Sequence, residues 1–194
     1  MFSTDIFDEK KASEAAAYFL LQSGGRMPAL QLLALLYLAE RLSFQLHSEP
    51  LIGDCLVSLP HGPALSITCR HMNGELDSTI GGWDSWLALR VGNDIGLQDG
   101  VLRSQVDDLQ ELSDSDLDTL EKTWTTFGQM SQHELLAYTQ ENCSEWKNPG
   151  ALMIPISHND LFDALGFSQE RKRDSLALLE ERNAISRSFK QACA

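Results

Sequence analysis

PALQLLALLYLAERLSFQL, Pro28 to Leu46, is apolar on nearly every side until Glu40. A helix that is hydrophobic all round belongs inside a protein rather than on its surface. Pro28 suits the first helical position, where the missing N–H costs no intrahelical bond. The apolar part, Ala29 to Ala39, is interrupted by Gln31 and falls short of the roughly 20 residues that span a bilayer. It predicts a central core helix and no membrane anchor.

Upstream, residues 9–23 form an alanine-rich helical pattern closed by Gly24-Gly25, residues whose freedom at positive φ suits a helix end. Downstream, DCLVSLP from Asp54 to Pro60 is short, β-branched at Val57 and bounded by breakers, which predicts a short strand. A turn at Pro60-His61-Gly62-Pro63 follows, then a helix over 64–72 with Pro63 in its first turn and Asn73-Gly74 as its stop. Trp83 and Trp86 flank a short helical turn, and ALRVGNDIGLQ predicts a small hairpin around Gly92-Asn93-Asp94. Ser113 with Asp116, and Ser131 with Glu134, fit capping boxes and place helices at about 114–127 and 132–142. Ser157 caps a short helix ending at Gly166. Ser168 opens a longer one with an intermittent stripe of Leu176, Leu179, Ala184 and Ile185. The expected fold is mainly α with minor β: a compact helical domain around the central hydrophobic helix, with a small hairpin. Residues 1–166 form the domain and 167–194 a C-terminal helical extension.

The 194 residues, 43% hydrophobic and 22% charged, have a folded composition. With 28 acids against 15 bases the net charge is −13, a field that repels nucleic acid and anionic lipid and leaves a protein as the default partner. Residues 94–121 hold nine acids and only Arg103, whereas 168–194 hold six bases against four acids. The acidic run reads as a solvated face, with a docking surface for a basic partner as its alternative. Cys55, Cys69, Cys143 and Cys193 form no C-x-x-C pair, and MFSTDIFDEKK lacks the profile of a signal peptide, so a reducing cytoplasm is expected.

Chemistry finds little support in the motifs. There is no G-x-x-x-x-G-K-S/T, no G-x-G-x-x-G after a strand, no H-E-x-x-H and no G-x-S-x-G. His61, in a rigid turn near Asp54 and Ser66, has the makings of a general base, but a histidine whose ring nitrogens tie the corner to backbone carbonyls is the simpler reading. Cys69-x-His71 is at best half a metal site, and its two positions point to different helix faces. Trp83, Trp86, Trp124 and Trp146 lack the interleaved bases that nucleic-acid stacking requires. Arg171-Lys172-Arg173 lies among Glu170, Asp174, Glu180 and Glu181, which favours charge pairing or partner contact over DNA reading.

Taken in order, these segments resemble the Panacea domain family, which includes SocA-like antitoxins and phage-borne GepA-like proteins. The resemblance runs from about Met27 to Gly166. It is carried by Leu36-Tyr37-Leu38-Ala39, Pro50-Leu51 with Gly53-Asp54, Val57-Ser58 with Pro60-His61-Gly62-Pro63, and Leu65-Ser66. Asn73-Gly74, Trp83 and Trp86, Phe127-Gly128 with Met130, Glu134-Leu135, Glu145-Trp146-Lys147 with Pro149, and Ile154-Pro155-Ile156-Ser157 extend it. Ala34, where such proteins often carry lysine, and Ala64, where valine commonly follows Gly-Pro, depart from the pattern. The resemblance implies a largely helical protein with no catalytic residue, metal or cofactor, which neutralises a cognate protein toxin by direct contact, in a phage-defence setting. The alternative it implies is an adaptor that delivers the toxin to a bacterial AAA+ protease or unfoldase. Partner contacts are expected at Asp54, His61, Trp86, Arg171, Lys172 and Arg173, with Pro60, Gly62 and Pro63 as a structural corner. Ala192-Cys193-Ala194 resembles the small-residue ends that unfoldases read.

Overall fold

The computed structural model of the chain describes residues 4–101 and 105–192. Arg103, and Cys193 and Ala194 of the terminal triplet, lie outside the described residues. Asp8 caps α1 (Glu9–Gln22) by accepting from the Lys11 N–H. Three residues of strand, β1 (Arg26–Pro28), lead into α2 (Ala29–His47). Pro28 stands one place earlier than expected: it is the residue before the helix, in extended conformation. Leu32, Leu35, Leu36 and Tyr37 of α2 are wholly buried, and α1 and later elements close around them.

β2 (Leu56–Leu59) and β3 (Gly62–Leu65) form a hairpin whose two-residue loop is Pro60-His61, and α3 (Ser66–Met72) begins only at Ser66. The helix expected from 64, with Pro63 in its first turn, is therefore corrected: 62–65 is strand. Ser66 N–H donates to the Cys55 carbonyl, so by alternation the N–H position of residue 63 faces away from β2. A proline there removes no ladder bond.

After α3 come the single turn α4 (Trp83–Trp86) and β4 (Asp94–Gly96). The expected small hairpin exists as a turn closed by a Val91–Asp94 bridge, but the main partner of β4 is the distant β1, with Met27 opposite Ile95. α5 (Asp114–Phe127) and α6 (Gln132–Asn142) carry complete capping boxes at Ser113/Asp116 and Ser131/Glu134. β5 (Ile154–Pro155) adds to the other side of β2, giving the order β3-β2-β5. Ile156 N–H donates to the Leu56 carbonyl, which leaves Pro155, like Pro63, at an outward-facing position of an edge strand. α7 (His158–Ala164) and α8 (Gln169–Ala192) complete a fold that is mainly α with minor β. No described helix is long and apolar enough to cross a membrane.

α8 does not run free. Arg182 pairs with Glu49, Asn183 Oδ1 accepts from the Asp5 N–H, and the Ser186 hydroxyl donates to the Asp5 carbonyl. Of the expected stripe Leu179 is buried and Leu176 half-buried, whereas Ala184 and Ile185 are exposed.

Candidate functional site

The hairpin corner is held from below by α6 and the segment after it. The Gln140 side-chain amide donates to the His61 carbonyl at 3.1 Å, and the Trp146 indole N–H donates to the Leu59 carbonyl at 2.9 Å. The tie at His61 thus runs through its backbone carbonyl. Its imidazole is exposed and has no hydrogen-bond partner among the described residues. Beneath the loop, Leu30, Leu33, Ala34, Pro63 and Leu136 line a dimple of about 20 Å³, room for about one water. Ala34 is buried there. A small side chain at this position lets the hairpin close onto α2.

Asp54 and His61 are not brought together. Asp54 stands at the open end of the hairpin and His61 at its tip, separated by the four residues of β2, roughly 13 Å of strand. Asp54 is only 3% exposed, and its carboxylate faces the start of α3. Oδ1 accepts from the Ile67 N–H at 2.9 Å, and Oδ2 from the Thr68 N–H and hydroxyl, each at 2.7 Å. Burial pushes its pKa above the ordinary value even against these donors. As a partner contact Asp54 is out of reach. It works as the cap of a helix whose own flanking residue, Leu65, has no side-chain acceptor.

Two further buried carboxylates escape a reading of the sequence. Glu40, wholly buried on α2, accepts from the Ile52 N–H at 2.7 Å and the Gly53 N–H at 3.0 Å, and burial pushes its pKa up to about 7. Glu145 accepts at 2.8 Å from both the Tyr37 hydroxyl and the Arg41 Nε. Burial, then the nearby Glu145, raises the Tyr37 hydroxyl well above its ordinary value. Glu40 had a signal, a lone acid inside an apolar run. The partners of Glu145 lie more than a hundred residues away in sequence and had none.

The remaining expected contacts divide. Arg171 lies over the Phe167 ring at 3.8 Å and donates to Ser48 Oγ at 3.0 Å and the Gln45 carbonyl at 2.7 Å, so it closes the C-terminal end of α2. Lys172 is taken by Asp163 at 2.7 Å. Arg173 is open to solvent beside Asp174. Trp86 is half-buried against the core. Cys69 Sγ accepts from the Asn73 amide, while the His71 ring is stacked between Phe7 and Trp83, so these two form no joint site.

A buried helix ringed by short helices and a small hairpin, tied internally by Glu40, Asp54 and Glu145, defines a helical scaffold. The sequence model of the family described as antitoxin SocA-like, Panacea domain, matches residues 32–147, and the chain belongs to that family. No curated protein and no solved structure matches the chain. The matched part runs from α2 to just beyond α6, leaving α1, β1, β5, α7 and α8 outside it.

Proposed function

We infer that the protein is a cytoplasmic antitoxin that neutralises a cognate protein toxin by direct binding, performs no chemistry itself and serves in phage defence. The observation that carries this is the match of residues 32–147 to a family of SocA-like antitoxins. The surface supports it. His61 stands exposed at the hairpin tip and Arg173 on α8, while Leu152, Met153 and Ile154 bring exposed apolar side chains to the edge of the sheet. In this reading residues 1–166 supply the scaffold, and the outer face of the helix from 167 onward adds contacts particular to one toxin.

The test is to co-express the chain with the product of the neighbouring reading frame and to measure growth, co-purification and toxin level. Rescue with stable co-purification and an unchanged toxin level is the expected result. Rescue accompanied by protease-dependent loss of the toxin would replace blocking by delivery to an unfoldase. Growth arrest that the chain leaves untouched, with no co-purification, would overturn the antitoxin reading.

A further inference from the structure

The segment ELDSTIGGWD, residues 75–84, contains Glu75, Asp77 and Asp84 and no base. A single carboxylate gathers its middle. Glu9, in the first turn of α1, accepts through Oε1 from the Ser78 hydroxyl at 2.7 Å, the Thr79 N–H at 3.0 Å and the Trp83 N–H at 2.9 Å. Its Oε2 accepts from the Thr79 hydroxyl at 2.9 Å. At Gly82 a Cβ would collide with that carboxylate, and Gly81 has φ +78°, so the chain passes there only as glycine. Between Thr79 and Gly81 the loop holds out Ile80, which is 98% exposed. A large apolar side chain on a loop already ordered by four hydrogen bonds loses little entropy on meeting a partner.

Beside the tip opens a groove of about 590 Å³, lined by residues 5–10, by Ile67 and His71 of α3, by Leu76, Asp77 and Thr79, and by Ser186 and Lys190 of α8. Half-buried Ile6, Phe7, Ile67 and Leu76 give it an apolar surface. The His71 ring also lines it. That ring is buried between Phe7 and Trp83, and its Nδ1 has no hydrogen-bond partner among the described residues. Four carboxylates line the groove, Asp5, Asp8, Glu9 and Asp77, against two ammonium groups, Lys10 and Lys190, so its net charge is negative. Lys10 is drawn toward Glu111 at 3.8 Å and Lys190 donates to the Asp5 carbonyl at 2.8 Å, whereas Asp77 and Asp84 have no ion-pair partner among the described residues. The N-terminal wall and the α8 wall lie outside the stretch matched to the family, while Ile67, His71, Leu76, Asp77 and Thr79 lie inside it.

We propose that Ile80 and the adjoining groove form a docking surface for a segment of a partner protein that presents an apolar side chain flanked by lysine or arginine. The inference rests on the reading of the chain as a protein-binding module and names the surface that does the binding. Apolar contact supplies the anchor, and the unpaired Asp77 and Asp84 select the sign of the flanking charge.

A random-peptide phage library selected on the purified chain and depleted on the Ile80→Asp chain tests this. Circular dichroism confirms that the variants are folded. The expected result is enrichment of peptides joining aliphatic or aromatic residues to lysine or arginine. Their binding should fall by about tenfold or more on Ile80→Asp and on Asp77→Lys. The proposal is overturned if no peptide depends on Ile80, or if the dependent peptides carry no basic bias. It also falls if Ile80→Asp turns a self-associated chain into a monomer in sedimentation, since the occupant is then a second copy. Growth rescue by the wild-type chain is scored separately, so loss of the antitoxin reading and loss of this surface give different results.

Discussion

Gly62 faces Thr139 across the hairpin corner: a Cβ added at Gly62 would lie 2.9 Å from the Thr139 hydroxyl oxygen, and the glycine itself has φ +141°. Two separate costs follow for any other residue, backbone strain and a clash with α6. Gly62→Val should therefore destabilise the protein by about 1–3 kcal/mol, read by urea denaturation. Pairing Gly62→Ala with Thr139→Ala should recover only the clash and leave the strain. His61→Ala, whose ring is exposed, should stay within about 0.5 kcal/mol of wild type. A large loss in His61→Ala would mean that the imidazole, and not the carbonyl held by Gln140, fixes the corner.

Asp54 supplies the acceptors that α3 lacks at its start. In Asp54→Ala the Ile67 and Thr68 N–H groups and the Thr68 hydroxyl lose their partner in a place closed to water. Unmade buried hydrogen bonds of this kind cost about 2–4 kcal/mol together. Hydrogen exchange should show the amides of α3 opening first. Uniform protection across α3 in the variant would contradict the capping role.

Legibility in the sequence followed the range of the interaction. α2 could be read because its residues are apolar on every face, and α5 and α6 because Ser113 and Ser131 are capped by residues three places on. Pro63 was misplaced because its strand conformation depends on pairing with β2. The partner of β4 was missed because β1 lies nearly seventy residues upstream. The site suffered in the same way. Asp54, Arg171 and Lys172 look like surface charges in sequence, yet each is satisfied by groups brought together only in the folded chain. The motif positions that carried the family resemblance, Asp54, Glu145 and Trp146 among them, prove to be internal ties of the scaffold. The exposed Ile80 loop, gathered by Glu9 from some seventy residues away, gave no local sign.

Leu36 has no exposed surface on a helix that the rest of the fold encloses. Leu36→Ala should cost about 2–5 kcal/mol, the transfer of the lost methyl groups plus the cavity they leave. A thermal melt that does not move would refute the central placement of α2.

Glu40 sets a slope against alkaline pH. Its folded pKa of about 7 stands above the ordinary value of 4.5, so the folded state holds the proton more tightly than the unfolded one. The stability linked to it is complete below the unfolded value and is lost as pH rises through the folded one, about 3 kcal/mol over the whole range. Burial lowers the pKa of His71 and of His158, which works in the opposite sense: their contribution is present above the ordinary histidine value and is lost as pH falls below it. Stability by urea denaturation should carry a Glu40-linked drop between about pH 4.5 and about pH 7.5, and Glu40→Gln should flatten that drop while lowering stability overall. An unchanged slope in Glu40→Gln would show that another group titrates.

Truncation separates the two halves of α8. Phe167 stacks on Phe162 at 5.0 Å with the rings 6° from parallel, Phe162 meets Phe44 at 5.4 Å, and Arg171 holds the last carbonyls of α2. A chain ending at Gly166 opens this cluster and should lose roughly 3–5 kcal/mol, the cost of removing a buried aromatic ring. A chain ending after Glu180 keeps the cluster and Leu179. It gives up the Arg182–Glu49 and Arg187–Asp5 pairs, which as surface ion pairs are worth about 1 kcal/mol or less each. The shorter truncation should therefore stay folded in urea denaturation, while the longer one should unfold at markedly lower denaturant. Equal stability of the two would place residues 167–180 outside the core. In the folded 1–180 chain, growth rescue then reports on the outer half of α8 alone: full rescue removes it from the toxin interface, and loss of rescue with the fold intact assigns it there.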